Sequence, residues 1–214
     1  MESLKKPKFG VGVNIFVLSS SLYVSFQLFA NILSTKIAIL PFVNMSIDGG
    51  TVIYPLTFTL RDFVHKTHGK KDARQVIVIA AALNAVMFGL FWLVGKMTPD
   101  PTWQFQRAYE QILLPVGRIV LASIIAQVIS ELIDTEIFSI VYKKTSDTFA
   151  VLASNSISLI FDSFIFCFIA FLGALPFATV MQIVFTNILV KFLISTLSVP
   201  TIKLIPRTAK FEDI

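Results

Sequence analysis

Two segments of the chain repeat one pattern of polar residues. Gln127, Ser130, Asp134 and Phe138 match, at a constant offset of 28 positions, Asn155, Ser158, Asp162 and Phe166. Steps of three and four residues place each set on one face of a helix. A carboxylate accepts hydrogen bonds, and a side-chain amide both donates and accepts them. The pattern therefore favours binding of a flat, neutral or cationic molecule with N–H groups and a carbonyl, such as a purine-like base.

The composition places both stripes inside a membrane. Of the 214 residues, 55% are hydrophobic and only 14% are charged, and the mean hydropathy is +0.79. An ordinary soluble domain carries about 25% charged residues. The basic residues lie in short polar segments between apolar runs, which is not the arrangement of a nucleic-acid-binding face. The chain is therefore expected to contact the lipid bilayer and no nucleic acid.

The apolar runs predict an all-α polytopic membrane protein with six transmembrane helices in a single domain. The expected spans are residues 11–35, 47–63, 75–95, 118–142, 148–172 and 177–199. The second span is expected to be short or broken, because it contains Gly49, Gly50 and Pro55. The aromatic residues Trp103, Phe105 and Tyr109 are expected to form an interfacial belt.

The distribution of Lys and Arg predicts the orientation. One set of loops holds thirteen of them, and the other set holds the four residues Lys36, Lys96, Arg107 and Arg118. Because cytoplasmic loops carry the excess of positive charge, both termini are expected in the cytoplasm.

The fourth predicted span contains three acids, Glu131, Asp134 and Glu136. Each costs up to about 3 kcal/mol at the bilayer centre, so they must face the protein interior or a wet cavity. Glu136 is expected to be structural, near Lys143 and Lys144. At 1.5 Å per residue, Asp134 would lie level with Asn155, and Gln127 with Asp162. Two carboxylate–amide layers would then face each other near the midplane; alternatively, these groups satisfy one another across a packing seam.

Other polar residues admit two interpretations each. Arg118 is either an interfacial anchor or a ligand contact. Asn31 and Lys36 close the first span, and Lys36 either pairs with Asp48 or is solvated. Lys191 either neutralises an acid in a cavity or extends towards the membrane surface.

Motifs for catalysis are missing from the sequence. It has no Gly-rich phosphate loop and no H-E-x-x-H pattern, and His65 and His68 have no metal-binding partners nearby. Neither a cofactor nor a metal is expected, and a membrane-embedded enzyme is a remote alternative.

Several strings of the sequence are distinctive: Asn31-Ile32 with Lys36-Ile37, Tyr54-Pro55-Leu56-Thr57-Phe58, Arg61-Asp62, Ser130 with Asp134-Thr135, Ser154-Asn155, Ser158 and Asp162-Ser163. Together they resemble the bacterial queuosine precursor transporters, a family that is similar to the vitamin-binding membrane subunits of energy-coupling-factor systems. The resemblance implies import of a deazaguanine base, a prequeuosine base or queuine, across the bacterial inner membrane for tRNA modification.

The resemblance also suggests roles for individual residues. Asp134 and Asp162 would accept hydrogen bonds from ring and exocyclic N–H groups, while Asn155 and Gln127 would bind the complementary edge. Arg118 would line the outer entrance, and Asp62 would gate or orient the substrate. The remaining candidate binding residues are Glu131, Ser130, Ser158 and Asn31. The alternative is a substrate-binding subunit that needs separate ATPases; a homo-oligomer is a further possibility.

Overall fold

The computed structural model describes residues 14–142 and 147–204, which form seven α-helices, one 3-10 turn and a two-stranded hairpin. In chain order the elements are α1 (Ile15–Leu33), β1 (Ile37–Leu40), β2 (Met45–Asp48), the 3-10 turn (Gly49–Val52), α2 (Pro55–His68), α3 (Lys70–Gly95), α4 (Gln106–Leu113), α5 (Val116–Tyr142), α6 (Asp147–Phe171) and α7 (Phe177–Leu204).

Four stretches of the described residues are long and apolar enough to cross a bilayer. They are Ile15–Leu33, Lys71–Gly95, Gln106–Ser130 and Phe177–Ile194, and a shorter apolar helix covers Ser156–Phe171. The chain is an all-α polytopic membrane protein, as its composition predicts. Five of the predicted spans coincide with α1, α3, α5, α6 and α7, apart from residues 11–13, which lie outside the described range. Six crossings remain a prediction.

The second predicted span, residues 47–63, is only partly helical. Its first residues complete β2 and form the 3-10 turn, and α2 begins at Pro55. A proline suits the first position of a helix, because its missing N–H would have no partner there anyway. The 14 residues of α2 reach about 21 Å, which is less than the roughly 30 Å of a hydrocarbon core. The second span is therefore short, and its first part is not an α-helix.

The hairpin of β1 and β2 was not predicted, and it packs against α7. The backbone N–H of Ser46 donates to Gln182 Oε1 at 3.1 Å, and the hydroxyl of Thr186 donates to the carbonyl of Ser46 at 2.7 Å. The hairpin turn includes Asn44, which adopts a positive φ of 51°. The β2 residues Ser46 to Asp48 are buried. The hairpin thus extends the wall formed by α7 and delivers Asp48 into the interior.

Helices α5 and α6 pack side by side and run in opposite directions. Their shared core with α7 includes the small residues Ala122, Cys167 and Ala170. Small residues let helix backbones approach closely inside membranes. A Cβ on Gly117 of α5 would overlap the Phe88 ring, so this glycine also allows α5 to approach α3.

The aromatic segment before α5 contains the short helix α4, which the sequence analysis did not anticipate. Gln106 donates to the carbonyl of Gly95 at 3.0 Å, and the Tyr109 hydroxyl donates to that of Phe91 at 3.4 Å. These bonds hold α4 against the end of α3. Trp103 and Phe105 remain exposed, which is the position that an interfacial belt requires.

Replacing Gly50 with alanine is expected to lower the free energy of unfolding by about 1–3 kcal/mol, the usual cost of overpacking. The new Cβ would overlap Ser34 Oγ and would lie 2.5 Å from the carbonyl oxygen of Ala30. Gly89→Ala is the matched control, because a Cβ added at Gly89 would meet no atom within 4 Å. Thermal unfolding of both variants in detergent checks this, and equal midpoints would contradict it.

Candidate functional site

A cavity of about 270 Å³ lies between α1, the 3-10 turn, α5, α6 and α7. It is lined by Ala30, Asn31, Ser34, Asp48, Gly50, Thr51, Tyr54, Ser123, Phe166, Asn187 and Lys191. That volume includes space open to solvent, and the enclosed part has room for about one water molecule, so the wall must widen to admit a small molecule. Its wall combines two aromatic rings with a carboxylate, an ammonium group, two carboxamides and several hydroxyls.

Asp48 is the acidic group of the cavity wall, and it is 1% exposed. Its Oδ1 accepts from the Ser34 hydroxyl at 2.7 Å and from the Gly50 backbone N–H at 3.0 Å, while Oδ2 lies 2.7 Å from the Thr51 hydroxyl. This is the capping geometry of an aspartate that precedes a helical turn. A carboxylate offers about four acceptor positions, so one remains for a ligand. Lys36 is exposed and is not one of these three partners, so it is solvated rather than paired with Asp48.

Thr51 connects Asp48 to Asn187 of α7. Its hydroxyl lies 2.7 Å from Asp48 Oδ2 and 2.5 Å from Asn187 Oδ1, although it has only one proton to donate. The Asp48 carboxylate and the Asn187 amide oxygen therefore share this hydroxyl, and the Asn187 amide N–H in turn donates to the Cys167 sulfur at 3.4 Å. Asn187 thus holds Thr51 beside Asp48.

Lys191 is the basic group of the cavity and is 2% exposed. Its ammonium lies 2.7 Å from Asp162 Oδ2 and 3.2 Å from Ser163 Oγ, and 5.0 Å from the centre of the Tyr54 ring. Lys191 thus pairs with a buried acid and does not extend towards the membrane surface. Two of its three N–H groups are used by Asp162 and Ser163, so one remains available. Lys191 lines the cavity whereas Asp162 does not, so Asp162 acts on the cavity through Lys191.

Asn31, one of the predicted residues, does line the cavity. Its amide N–H donates to Asn84 Oδ1 of α3 at 2.7 Å, and the Asn84 amide in turn donates to the carbonyl of Ala80 at 2.9 Å. These bonds fix the orientation of the Asn31 amide. Its Oδ1 accepts from none of the described groups and is therefore free to accept from a ligand.

Three predicted residues of α5 lie elsewhere. Gln127 donates to the Tyr23 hydroxyl at 3.0 Å and is not part of the cavity wall. Ser130, rather than Gln127, faces Asp162, at a long distance of 3.5 Å between Oγ and Oδ1. Asp162 therefore lies level with Ser130 and not with Gln127 as predicted, a difference of three residues or about 4.5 Å along α5. Arg118 is exposed and donates to the carbonyls of Ile169 and Leu172, so it caps the end of α6.

Of the remaining predicted residues, only Ser158 has a described side chain, and it is not part of the cavity wall. Ser158 is half-buried on α6. Asp62, Glu131, Asp134 and Asn155 lie on helices, but their side chains are outside the described part of the structure, as are those of Glu136 and Phe138. The proposed pairing of Asp134 with Asn155 therefore stays a prediction.

Several residues of the cavity wall had no predicted binding role, among them Asp48, Thr51, Tyr54, Asn187 and Lys191. Signals for some of them were present. Asn187 and Lys191 are four residues apart, which places an amide and an ammonium on one face of the last span. The string Asp48-Gly49-Gly50-Thr51 has the composition of a capped turn. The sequence did not indicate that the turn and these two residues of the last span meet, because the hairpin that brings the turn to α7 was not predicted.

Apolar membrane helices around a small polar cavity define a membrane transporter for a small molecule. A family model described as "Putative vitamin uptake transporter" matches residues 48–205, and the chain belongs to that family. The match includes most of the cavity wall, from Asp48 to Lys191. The chain is therefore a multi-pass membrane transporter and not an enzyme.

A curated relative supports this assignment. The "Probable queuosine precursor transporter" of Bacillus subtilis (strain 168) is 28% identical over 157 residues, which cover 71% of this chain and 68% of the relative. No solved structure matches the chain.

Proposed function

We propose that this protein imports a queuosine precursor, a deazaguanine base such as a prequeuosine base or queuine, across the bacterial inner membrane for tRNA modification. The observation that carries the proposal is the cavity wall, in which Asp48 and Lys191 lie with the rings of Tyr54 and Phe166. The name of the Bacillus subtilis relative supports the same cargo.

The chemistry of a deazaguanine base complements this wall. The base has a ring N–H beside an exocyclic amine, and a carbonyl on the neighbouring carbon. Asp48 and Asn31 each have an acceptor available for the N–H groups, and Lys191 has an N–H available for the carbonyl. Tyr54 and Phe166 supply aromatic surface for the flat ring. An anionic cargo is less favourable, because the Lys191 charge is already balanced by Asp162.

The proposal also includes the predicted polar residues that lie between the cavity and the proposed cytoplasmic ends of α5 and α6. Glu131 and Asp134 follow Ser130 along that helix, and Asn155 lies on the antiparallel α6. We assign them the role of receiving the base after it leaves the cavity. Asp62, near the end of α2, is the proposed residue for release.

The proposed topology places both termini in the cytoplasm, on the strength of the thirteen basic residues on that side. The rings of Phe16 and His68 lie 4.3 Å apart. The start of α1 and the end of α2 are thus at the same side of the molecule, as this topology requires.

Uptake of labelled prequeuosine base and queuine tests the proposal, in cells that lack their own synthesis and that express the protein or an empty vector. Expression is expected to raise uptake at least tenfold. Asn187→Leu is expected to abolish the gain, because it removes the amide that holds Thr51 and Asp48 in place. Thr196→Val is the control, since the Thr196 hydroxyl bonds to the carbonyl of Phe192 in its own helix and is exposed. The proposal fails if protein in the membrane gives no uptake above the vector.

The alternative is a binding subunit that depends on separate ATPases. Reconstitution of the purified protein alone into liposomes separates the two. Entry of labelled base without partner proteins supports an autonomous transporter, whereas binding without entry supports the subunit.

A further inference from the structure

One face of α1 carries a polar side chain at every fourth position. Ser19, Tyr23, Gln27 and Asn31 are each at most 4% exposed. Successive steps of four residues stay on one slowly turning face of a helix. Polar groups inside a membrane protein are expensive to bury and are usually functional. The face therefore calls for an explanation beyond packing.

The polar face begins at the cavity and continues away from it. Of its four members only Asn31 lines the cavity. Tyr23 lies eight residues nearer the start of α1, a distance of about 12 Å along the axis. On α5, Gln127 lies one turn beyond Ser123, which does line the cavity. Polar side chains of two helices thus lead from the cavity in the same direction, towards the proposed cytoplasmic side.

The path is closed where these side chains meet. The Tyr23 hydroxyl accepts from the Gln27 amide at 3.2 Å and from the Gln127 amide at 3.0 Å. The second bond joins α1 to α5 directly. Tyr23 is 2% exposed, so no open channel passes it.

We propose that Tyr23, Gln27 and Gln127 form the inner gate of the transport pathway. The gate is closed in this structure, and it opens when α1 moves away from α5. Neutral amide and phenol groups can exchange their mutual hydrogen bonds for bonds to water at little net cost. A polar gate of this kind opens more readily than an interlocked apolar one. The direction of opening rests on the proposed import function and topology.

Thiol labelling from the cytoplasmic side tests the gate. The reporter is Ser123→Cys, which places a thiol in the cavity wall, and the chain without it corrects for the buried native Cys167. In everted membrane vesicles a membrane-impermeant maleimide can reach the reporter only past Tyr23. Tyr23→Phe and Gln127→Ala each remove one partner of the gate. Both are expected to raise the labelling rate of the S123C thiol at least tenfold, whereas Thr196→Val is expected to leave it unchanged.

Two results would overturn the proposal of an inner gate. One is unchanged labelling in both variants, and the other is rapid labelling of S123C in the otherwise unaltered chain. Thermal unfolding of each variant identifies one that fails to fold, and Gln27→Ala then takes its place with the same expectation. The readout needs no substrate, so a failure of the uptake experiment and a failure of the gate are separate outcomes.

Discussion

Replacing Lys191 with methionine is expected to lower the free energy of unfolding by about 3–5 kcal/mol, the usual cost of leaving one partner of a buried ion pair uncompensated. Lys191 and Asp162 are both nearly inaccessible, and 2.7 Å separates Nζ from Oδ2. Without the ammonium, the Asp162 carboxylate keeps the Ser130 hydroxyl, at a long 3.5 Å, as its hydrogen-bond partner among the described residues. Thermal unfolding in detergent measures the loss of stability, and base uptake is expected to fall at least tenfold.

The double variant Lys191→Met with Asp162→Asn separates stability from function. It removes both charges, so it is expected to recover most of the lost stability, because neutral replacement of a buried pair is often tolerated. Uptake is expected to remain low, since the N–H donor facing the cavity is still missing. Lys36→Met is the control for loss of an exposed basic residue. Parent-level uptake by the double variant would remove Lys191 from the binding site.

Replacing Asp48 with asparagine is expected to reduce base uptake at least tenfold and to cost about 1–3 kcal/mol of stability. The carboxylate accepts from three donors on its two oxygens. In asparagine one oxygen becomes an NH₂ group, which then faces a donor instead of accepting from it. The position offered to the base is also lost or displaced. Uptake and thermal unfolding of the same preparation measure the two effects.

Asp100→Asn is a close control for this substitution. Asp100 also accepts from a following threonine, with 2.8 Å to the backbone nitrogen and 2.5 Å to the hydroxyl of Thr102. The side-chain and backbone hydrogen bonds from Thr102 lower the pKa of Asp100, so its carboxylate is ionised at neutral pH. It lies on the surface between α3 and α4. Equal loss of uptake in the two variants would show that the Asp48 effect does not come from the cavity.

The helices could be predicted from the sequence because hydropathy and length determine them. The runs that became α3, α5, α6 and α7 are long and mostly apolar, and they are bounded by charged or turn-forming residues. The hairpin could not be predicted in this way. Residues 37–43 are as apolar as a membrane-spanning helix. The strands also lack the alternation of apolar and polar residues that identifies a half-buried sheet. Its stability comes from α7, through Gln182 and Thr186, which are far away in the sequence.

Only the part of the candidate site that depends on spacing within one helix could be predicted from the sequence. Spacing along α6 drew attention to Phe166, which lines the cavity, and to Asp162, which does not; charge alone drew attention to Lys191. Their meeting with Asp48 depends on the hairpin, and no local pattern encodes that contact. Gln127 shows the converse problem. Its polar neighbours on the helix indicated a ligand, whereas its partner is Tyr23, a residue more than a hundred positions away.

On the proposed topology the hairpin lies towards the outer side of the membrane, where it would couple opening of the cavity to movement of Asp48. Asp48 follows directly from Ser46 and Ile47, and Ser46 is bonded to α7 through both its N–H and its carbonyl. If β2 separates from α7, the carboxylate moves with it and leaves Asn187 behind. An opening to the outside formed in this way would separate Asp48 from the other residues of the cavity wall as it widens. Cargo would be captured during closure, so that recognition and sealing become a single movement of the chain.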